Sequence, residues 1–318
     1  VKIFVISKNN LLLFLGAFIF ALVLSVTLSR GRQQTFVNGA TGVGSYQIDV
    51  PVPTTLAKET INFQVAKEAT ASAIFAKEAL IVDLETLKPV FAKEATASAE
   101  IASTTKIVTA LVAQKKWVAS DLLTVPTSCV NLVGTNVGLL PGETLRFDDV
   151  LRAMLIDSAA DATCTLYVNG GGLPAFVAEM NKLASDLNLQ SVYFGNPIGF
   201  DGVGSWVGNT ASATDLAVLT KEALKDDLFR EIVGTKSRAI TSFDGSLTHN
   251  LVNTNQLLGA IPEVYGVKTG QTDGAGQCLV TALKVKDRNF LIVLLGSPDR
   301  FGETIRLINW LKTSVSWD

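Results

Sequence analysis

The chain has 318 residues, 48% of them hydrophobic and 18% charged, with a formal net charge of -2. That apolar content supports a sizeable core and excludes a largely disordered chain. The near-neutral balance, with no Lys/Arg cluster interleaved with aromatics, excludes a basic nucleic-acid-binding surface.

Leu11 to Leu28 runs eighteen residues without a charge, between Lys2 and Lys8 on one side and Arg30 and Arg32 on the other. The length suits a short membrane helix, and no A-x-A cleavage site follows it. Residues 1–30 are therefore expected to form an uncleaved signal anchor, with a cleaved signal peptide as the alternative, and either would export the rest of the chain; the balanced flanking charges leave orientation open. Residues 31–71 read as a linker, because Gly31 to Thr55 is rich in Gly, Thr, Val and Gln and holds Pro51 and Pro53. The octapeptide AKEATASA stands at Ala66–Ala73 and again at Ala92–Ala99, an irregular local duplication rather than a solenoid repeat.

The expected globular domain spans 72–318. Ala79–Val82 and Val90–Phe91 are short apolar runs that predict two strands joined by a turn through Asp83–Pro89. Ile107, Val108, Ala110, Leu111 and Val112 predict a buried helix starting at Ser103. Helices are also expected over Phe147–Ile156, Pro174–Leu187 and Phe301–Leu311, and adjacent strands over Gln277–Lys284 and Asn289–Leu295. Strands at both ends with helices between them imply one sheet assembled from distant segments, an α+β layout.

Cys129, Cys164 and Cys278 are odd in number and form no CxxC pair, so the expectation is three free thiols, with neither a disulfide framework nor a zinc site; one oxidised pair is the alternative left open. His249 is the single histidine. A zinc centre built on several histidines is excluded, and a nucleophilic enzyme of this composition is expected to use another base.

Two strings supply that chemistry. In Ser103-Thr104-Thr105-Lys106, the helical spacing places Lys106 beside the Ser103 hydroxyl. A lysine made neutral by burial or by a nearby cation can take the serine proton. Alone, the string also fits an N-cap serine followed by a surface lysine. In Lys268-Thr269-Gly270, the lysine and threonine could hold a carboxylate, and the glycine lets another backbone approach. Alone, this string also fits an ordinary turn. Together they support each other, because Lys268 is the cation that would depress Lys106.

The segments Ile101–Ala110 and Gly266–Gly276, with Met180-Asn181-Lys182, Asn196-Pro197, Asp215-Leu216-Ala217 and Asn253-Thr254-Asn255, resemble the hallmark segments of D-alanyl-D-alanine carboxypeptidases. These are low-molecular-mass penicillin-binding proteins. The resemblance implies a β-lactamase/transpeptidase-like three-layer sandwich with an antiparallel sheet and a helical subdomain. It implies a serine-type hydrolase acting on peptidoglycan stem peptides, β-lactams as inhibitors, and no metal or organic cofactor. Some members carry a further C-terminal β domain and membrane helix, which this sequence is expected to lack.

Residue by residue, Ser103 resembles the acylated nucleophile and Lys106 its base. Ser158 resembles the first residue of the S-x-N motif that helps shuttle protons. Lys268, Thr269 and Gly270 resemble the third motif, which orients the substrate's terminal carboxylate. The backbone N–H groups of Ser103 and Gln271 would form the oxyanion hole. Arg300 resembles an arginine that assists with the carboxylate, and it fits equally well a solvated arginine at a helix start. One position departs: the motif reads Ser158-Ala159-Ala160, so its asparagine amide is missing. Asp161 could stand in for it in part, although a carboxylate there more naturally caps a helix. An endopeptidase of the same family and a cell-wall-binding protein that has lost turnover are the alternatives. The E-x-x-L-N segment of class A β-lactamases is absent between Ser158 and Lys268.

Overall fold

The computed structural model describes residues 63–65, 74–202, 204 and 206–317. The expected anchor over 1–30 and nearly all of the expected linker lie outside the described residues. Among the described residues, no helix is long and apolar enough to cross a membrane.

Strand β1 (Phe63–Val65) is followed by β2 (Glu78–Asp83), β3 (Pro89–Lys93) and the two-residue β4 (Ala99–Glu100). A 3-10 turn, Ala102–Thr105, leads into helix α1 (Lys106–Gln114). Strands β5 (Leu122–Thr124) and β6 (Thr144–Arg146) pair ahead of α2 (Phe147–Ile156), α3 (Ala160–Asn169) and α4 (Leu173–Asp186). Strand β7 (Thr210–Ala211) pairs with β4, and α5 (Ala213–Ala223) and α6 (Asp227–Val233) follow. The hairpin of β8 (Ser237–Thr241) and β9 (Thr248–Val252) precedes β10 (Val264–Thr272), β11 (Gly276–Val285), β12 (Arg288–Ser297), α7 (Arg300–Ser314) and β13 (Val315–Trp317).

Five strands build the main sheet in the order β10-β11-β12-β2-β3, and every neighbouring pair is antiparallel. Two segments separated by the helical region thus meet in one sheet, as the strand positions along the chain predict. Alternation along the strands sends Leu80, Val82, Val280, Ala282, Leu291, Val293 and Leu295 to one face, into the core shared with the helices of the middle segment. Ala79, Ile81, Leu279, Leu283, Phe290, Ile292 and Leu294 point the other way, against Leu307, Ile308 and Leu311 of α7. Burial on both faces explains why β12 reads as an unbroken apolar run rather than an alternating one. The result is a helix–sheet–helix sandwich. The start of α7 is set by Asp299, whose carboxylate accepts the Gly302 N–H at 2.9 Å.

Strand β1 pairs with β13, Phe63 opposite Trp317, and both rings pack on Phe290. Three residues expected in the linker are therefore paired with the globular domain.

The expectation of three free thiols is corrected. Cys129 and Cys164 form a disulfide with Cα atoms 5.3 Å apart, and Cys278 is free. The bridge ties the loop before β6 to α3. The partners lie 35 positions apart in sequence, so their meeting depends on how α3 packs, which spacing alone does not reveal.

Candidate active site

Ser103 sits in the 3-10 turn, half-buried. Such a turn has three residues per revolution, so residues three apart stack over one another. Lys106 accordingly stands above Ser103, its Nζ 3.0 Å from the Ser103 Oγ. The turn is gripped between two glycine backbones. A Cβ on Gly199, whose φ is +93°, would lie 2.3 Å from the Ala102 carbonyl oxygen. A Cβ on Gly270 would lie 2.8 Å from the Ser103 nitrogen. Any side chain at either position would push the serine turn away.

Lys106 is 1% exposed. Its Nζ also donates to the Ile198 carbonyl at 2.6 Å. Burial, and after it the nearby Lys268 ammonium, holds the Lys106 pKa well below the ordinary lysine range. Lys268, in the middle of β10, is 2% exposed, and its Nζ donates to the Thr269 carbonyl at 3.0 Å. Burial lowers its pKa to about 7, helped by the Arg300 guanidinium and opposed by Asp157. Both strings picked out in the sequence therefore converge on one place, one at a helix start and the other on the edge strand of the sheet.

Thr269 is buried, and its Oγ1 lies 2.5 Å from the Thr254 Oγ1. Gln271 is exposed on the same strand, opposite Gln277. Arg300 opens α7 and donates from one terminal nitrogen to the Gly270 carbonyl at 2.8 Å. Arg300 is thus held on the strand that carries Lys268 rather than standing free in solvent.

Ser158, with φ of +63°, stands in the connection between α2 and α3. Ala160 opens α3, is 1% exposed, and donates its N–H to the Thr135 carbonyl at 2.7 Å. That hydrogen bond ties the first turn of α3 to the loop ahead of β6. The Asp161 carboxylate accepts the N–H groups of Gly138 at 3.0 Å and Leu139 at 3.1 Å, and its other oxygen accepts that of Ala162 at 2.9 Å. With its oxygens committed to bracing this loop, Asp161 does not replace the missing asparagine amide. His249 lies in a separate contact: its Nε2 is 2.7 Å from the buried Glu143 carboxylate and its Nδ1 is 3.2 Å from the Val137 carbonyl.

Sequence reasoning left two organising residues without a role. Asn196, 0% exposed, accepts the N–H groups of Ile198, Gly199 and Phe200 on one oxygen and donates to the Phe200 and Val207 carbonyls. It thereby shapes the loop that presents the Ile198 carbonyl to Lys106. Asn209 accepts from Gly195 and Asn196 and donates to the Thr105 hydroxyl at 3.1 Å, joining that loop to the serine turn. The Asn-Pro-x-Gly string of residues 196–199 is the available signal, because an asparagine shortly before a glycine marks an organised turn.

A family model described as D-alanyl-D-alanine carboxypeptidase matches residues 64–299. The chain belongs to the D-alanyl-D-alanine carboxypeptidase family. It is 30% identical to the D-alanyl-D-alanine carboxypeptidase DacF of Bacillus subtilis over 76% of this chain and 63% of that protein, so the match spans less than two thirds of that relative. It is 28% identical to the D-alanyl-D-alanine endopeptidase of Escherichia coli, over 78% of this chain and 83% of that one. Among solved structures, the D-alanyl-D-alanine carboxypeptidase of Mycobacterium tuberculosis superposes with a TM-score of 0.72 at 26% identity, covering 78% of this chain and 94% of that chain. Family membership and the shared fold agree with the α+β sandwich.

Proposed function

We propose that the protein is a D-Ala-D-Ala carboxypeptidase that cleaves peptidoglycan stem peptides through an acyl-enzyme on Ser103. The observation that carries this reading is the meeting of Ser103, a buried Lys106 and a buried Lys268. Neutral Lys106 takes the hydroxyl proton as Ser103 Oγ attacks the carbonyl carbon of the terminal peptide bond. The backbone N–H groups of Ser103 and Gln271 receive the developing oxyanion. Collapse breaks the C–N bond, the proton passes to the leaving amine, and D-alanine departs. Water then hydrolyses the ester and regenerates Ser103. Charged Lys268, with Thr269 and Arg300, binds the terminal carboxylate, and Ser158 relays protons.

A β-lactam, whose carboxylate mimics the peptide terminus, acylates the same serine. The endopeptidase relative supports a second reading, cleavage of a cross-link by the same chemistry. Residues 1–30 anchor the catalytic domain, 72–318, on the outer face of a bacterial membrane. The Cys129–Cys164 disulfide supports an exported location, because such bridges persist in oxidising compartments. Intact-mass spectrometry of the purified full-length protein after incubation with penicillin tests the proposal. A single adduct mapping to Ser103 is expected, and an unmodified protein or an adduct elsewhere overturns it.

A further inference from the structure

Thr254 has no role in the reaction as described, yet its surroundings fix it from three sides. Its N–H donates to the Ile156 carbonyl at 3.2 Å, two residues ahead of Ser158. On one side, Asn253 donates its N–H to the Lys236 carbonyl at 2.8 Å and its side-chain amide to the Thr235 carbonyl at 2.9 Å. On the other, Asn255 is 3% exposed and directs its amide at the Gly266 carbonyl of β10, 3.4 Å away. The Asn255 N–H returns to the Asn253 side-chain oxygen at 2.9 Å. The bend carrying Thr254 is thus pinned to the α2 end, to the turn after α6 and to the strand that bears Lys268. From that bend the Thr254 hydroxyl reaches the Thr269 hydroxyl at 2.5 Å.

A hydroxyl has one hydrogen to donate and two lone pairs to accept with. Of two hydroxyls in contact, only one donates to the other. If Thr269 gave its hydrogen to Thr254, it could offer only lone pairs to a bound carboxylate, which repels them. If Thr254 donates instead, Thr269 keeps its hydrogen for the ligand. We propose that Thr254 is a positioning residue that donates its hydroxyl hydrogen to Thr269 and so turns the Thr269 hydroxyl into a donor for the substrate's terminal carboxylate. This rests on the carboxypeptidase reading above and adds to it the residue that orients the carboxylate donor.

The test is a double-mutant cycle in the full-length protein, with the second-order rate of acylation by benzylpenicillin as readout. Thr254→Val should slow acylation about 10-fold, the scale of one hydrogen bond to a charged group. Thr254→Ser, which keeps the donor, should restore most of the rate. In a Thr269→Val background, adding Thr254→Val should change little, because the residue acts only through Thr269. Thr254→Ala repeats the cycle should Thr254→Val fail to fold. Full additivity in the double variant, or a Thr254→Ser protein as slow as Thr254→Val, overturns the inference while leaving the carboxypeptidase reading intact. A wild-type chain that penicillin does not label overturns both.

Discussion

Lys106 Nζ lies 3.0 Å from Ser103 Oγ inside a pocket that leaves Lys106 1% exposed. That pairing makes the lysine the base expected for this serine, and it separates two sets of variants. Ser103→Ala should abolish covalent labelling by a β-lactam, and Lys106→Ala should nearly abolish it. His249→Ala removes the partner of a buried carboxylate, Glu143, so it should lower the melting temperature. Labelling of the folded fraction should survive. Loss of labelling in folded His249→Ala with retention in Lys106→Ala would reverse the assignment.

The pH profile of acylation reports the two lysines. The proposed reaction needs Lys106 neutral and Lys268 charged. Since burial brings the Lys268 pKa down to about 7, the rate should fall as pH rises through that value. Lys268→Arg keeps its charge, so its descending limb should move to higher pH even as its maximum drops. Stability follows the same shift. The Lys268 pKa is lower in the folded than in the unfolded chain, so the unfolded chain binds more protons between about 7 and the ordinary lysine value of 10.5. Stability should therefore rise with pH across that window, and Lys268→Met should remove its share of the slope. An unchanged descending limb in Lys268→Arg would dissociate Lys268 from the carboxylate.

Ala160 stands where the S-x-N motif has its amide, and Asp161 is committed to the loop at 137–139. A hydrogen bond to a charged group is worth about 1.5–3 kcal/mol, which in a transition state amounts to roughly 10- to 100-fold in rate. The natural protein should acylate slowly but measurably, and Ala160→Asn should acylate faster. Because Ala160 is 1% exposed, the new side chain must find room. A lower melting temperature without a faster rate would show that packing has taken over the site.

The disulfide should matter to stability more than to chemistry. Closing the loop between Cys129 and Cys164 contributes about 3–4 kcal/mol in the chain-entropy account. Cys129→Ser or reduction should lower the midpoint of unfolding, read by circular dichroism. An unchanged midpoint would mean that the loop before β6 and α3 are held by packing alone.

Much of this protein is legible in its local sequence. Helix α2 begins and ends where the periodicity of Phe147–Ile156 places it, and β11 and β12 extend the predicted runs by one or two residues at each end. These elements bury continuous apolar stripes, so local pattern and tertiary environment agree. Serine and lysine three residues apart are likewise a local fact, decided by the geometry of one turn. Tertiary structure decided the rest, because each remaining feature joins residues distant in sequence. Lys268 is an ordinary lysine until β10 packs beside the serine turn and removes its water. Cys129 meets Cys164 only through the placement of α3. Thr254 meets Thr269 only because two asparagines pin its bend to β10 and its neighbours. Burial and convergence of this kind arise from the packing of whole elements, and no short window of sequence contains them.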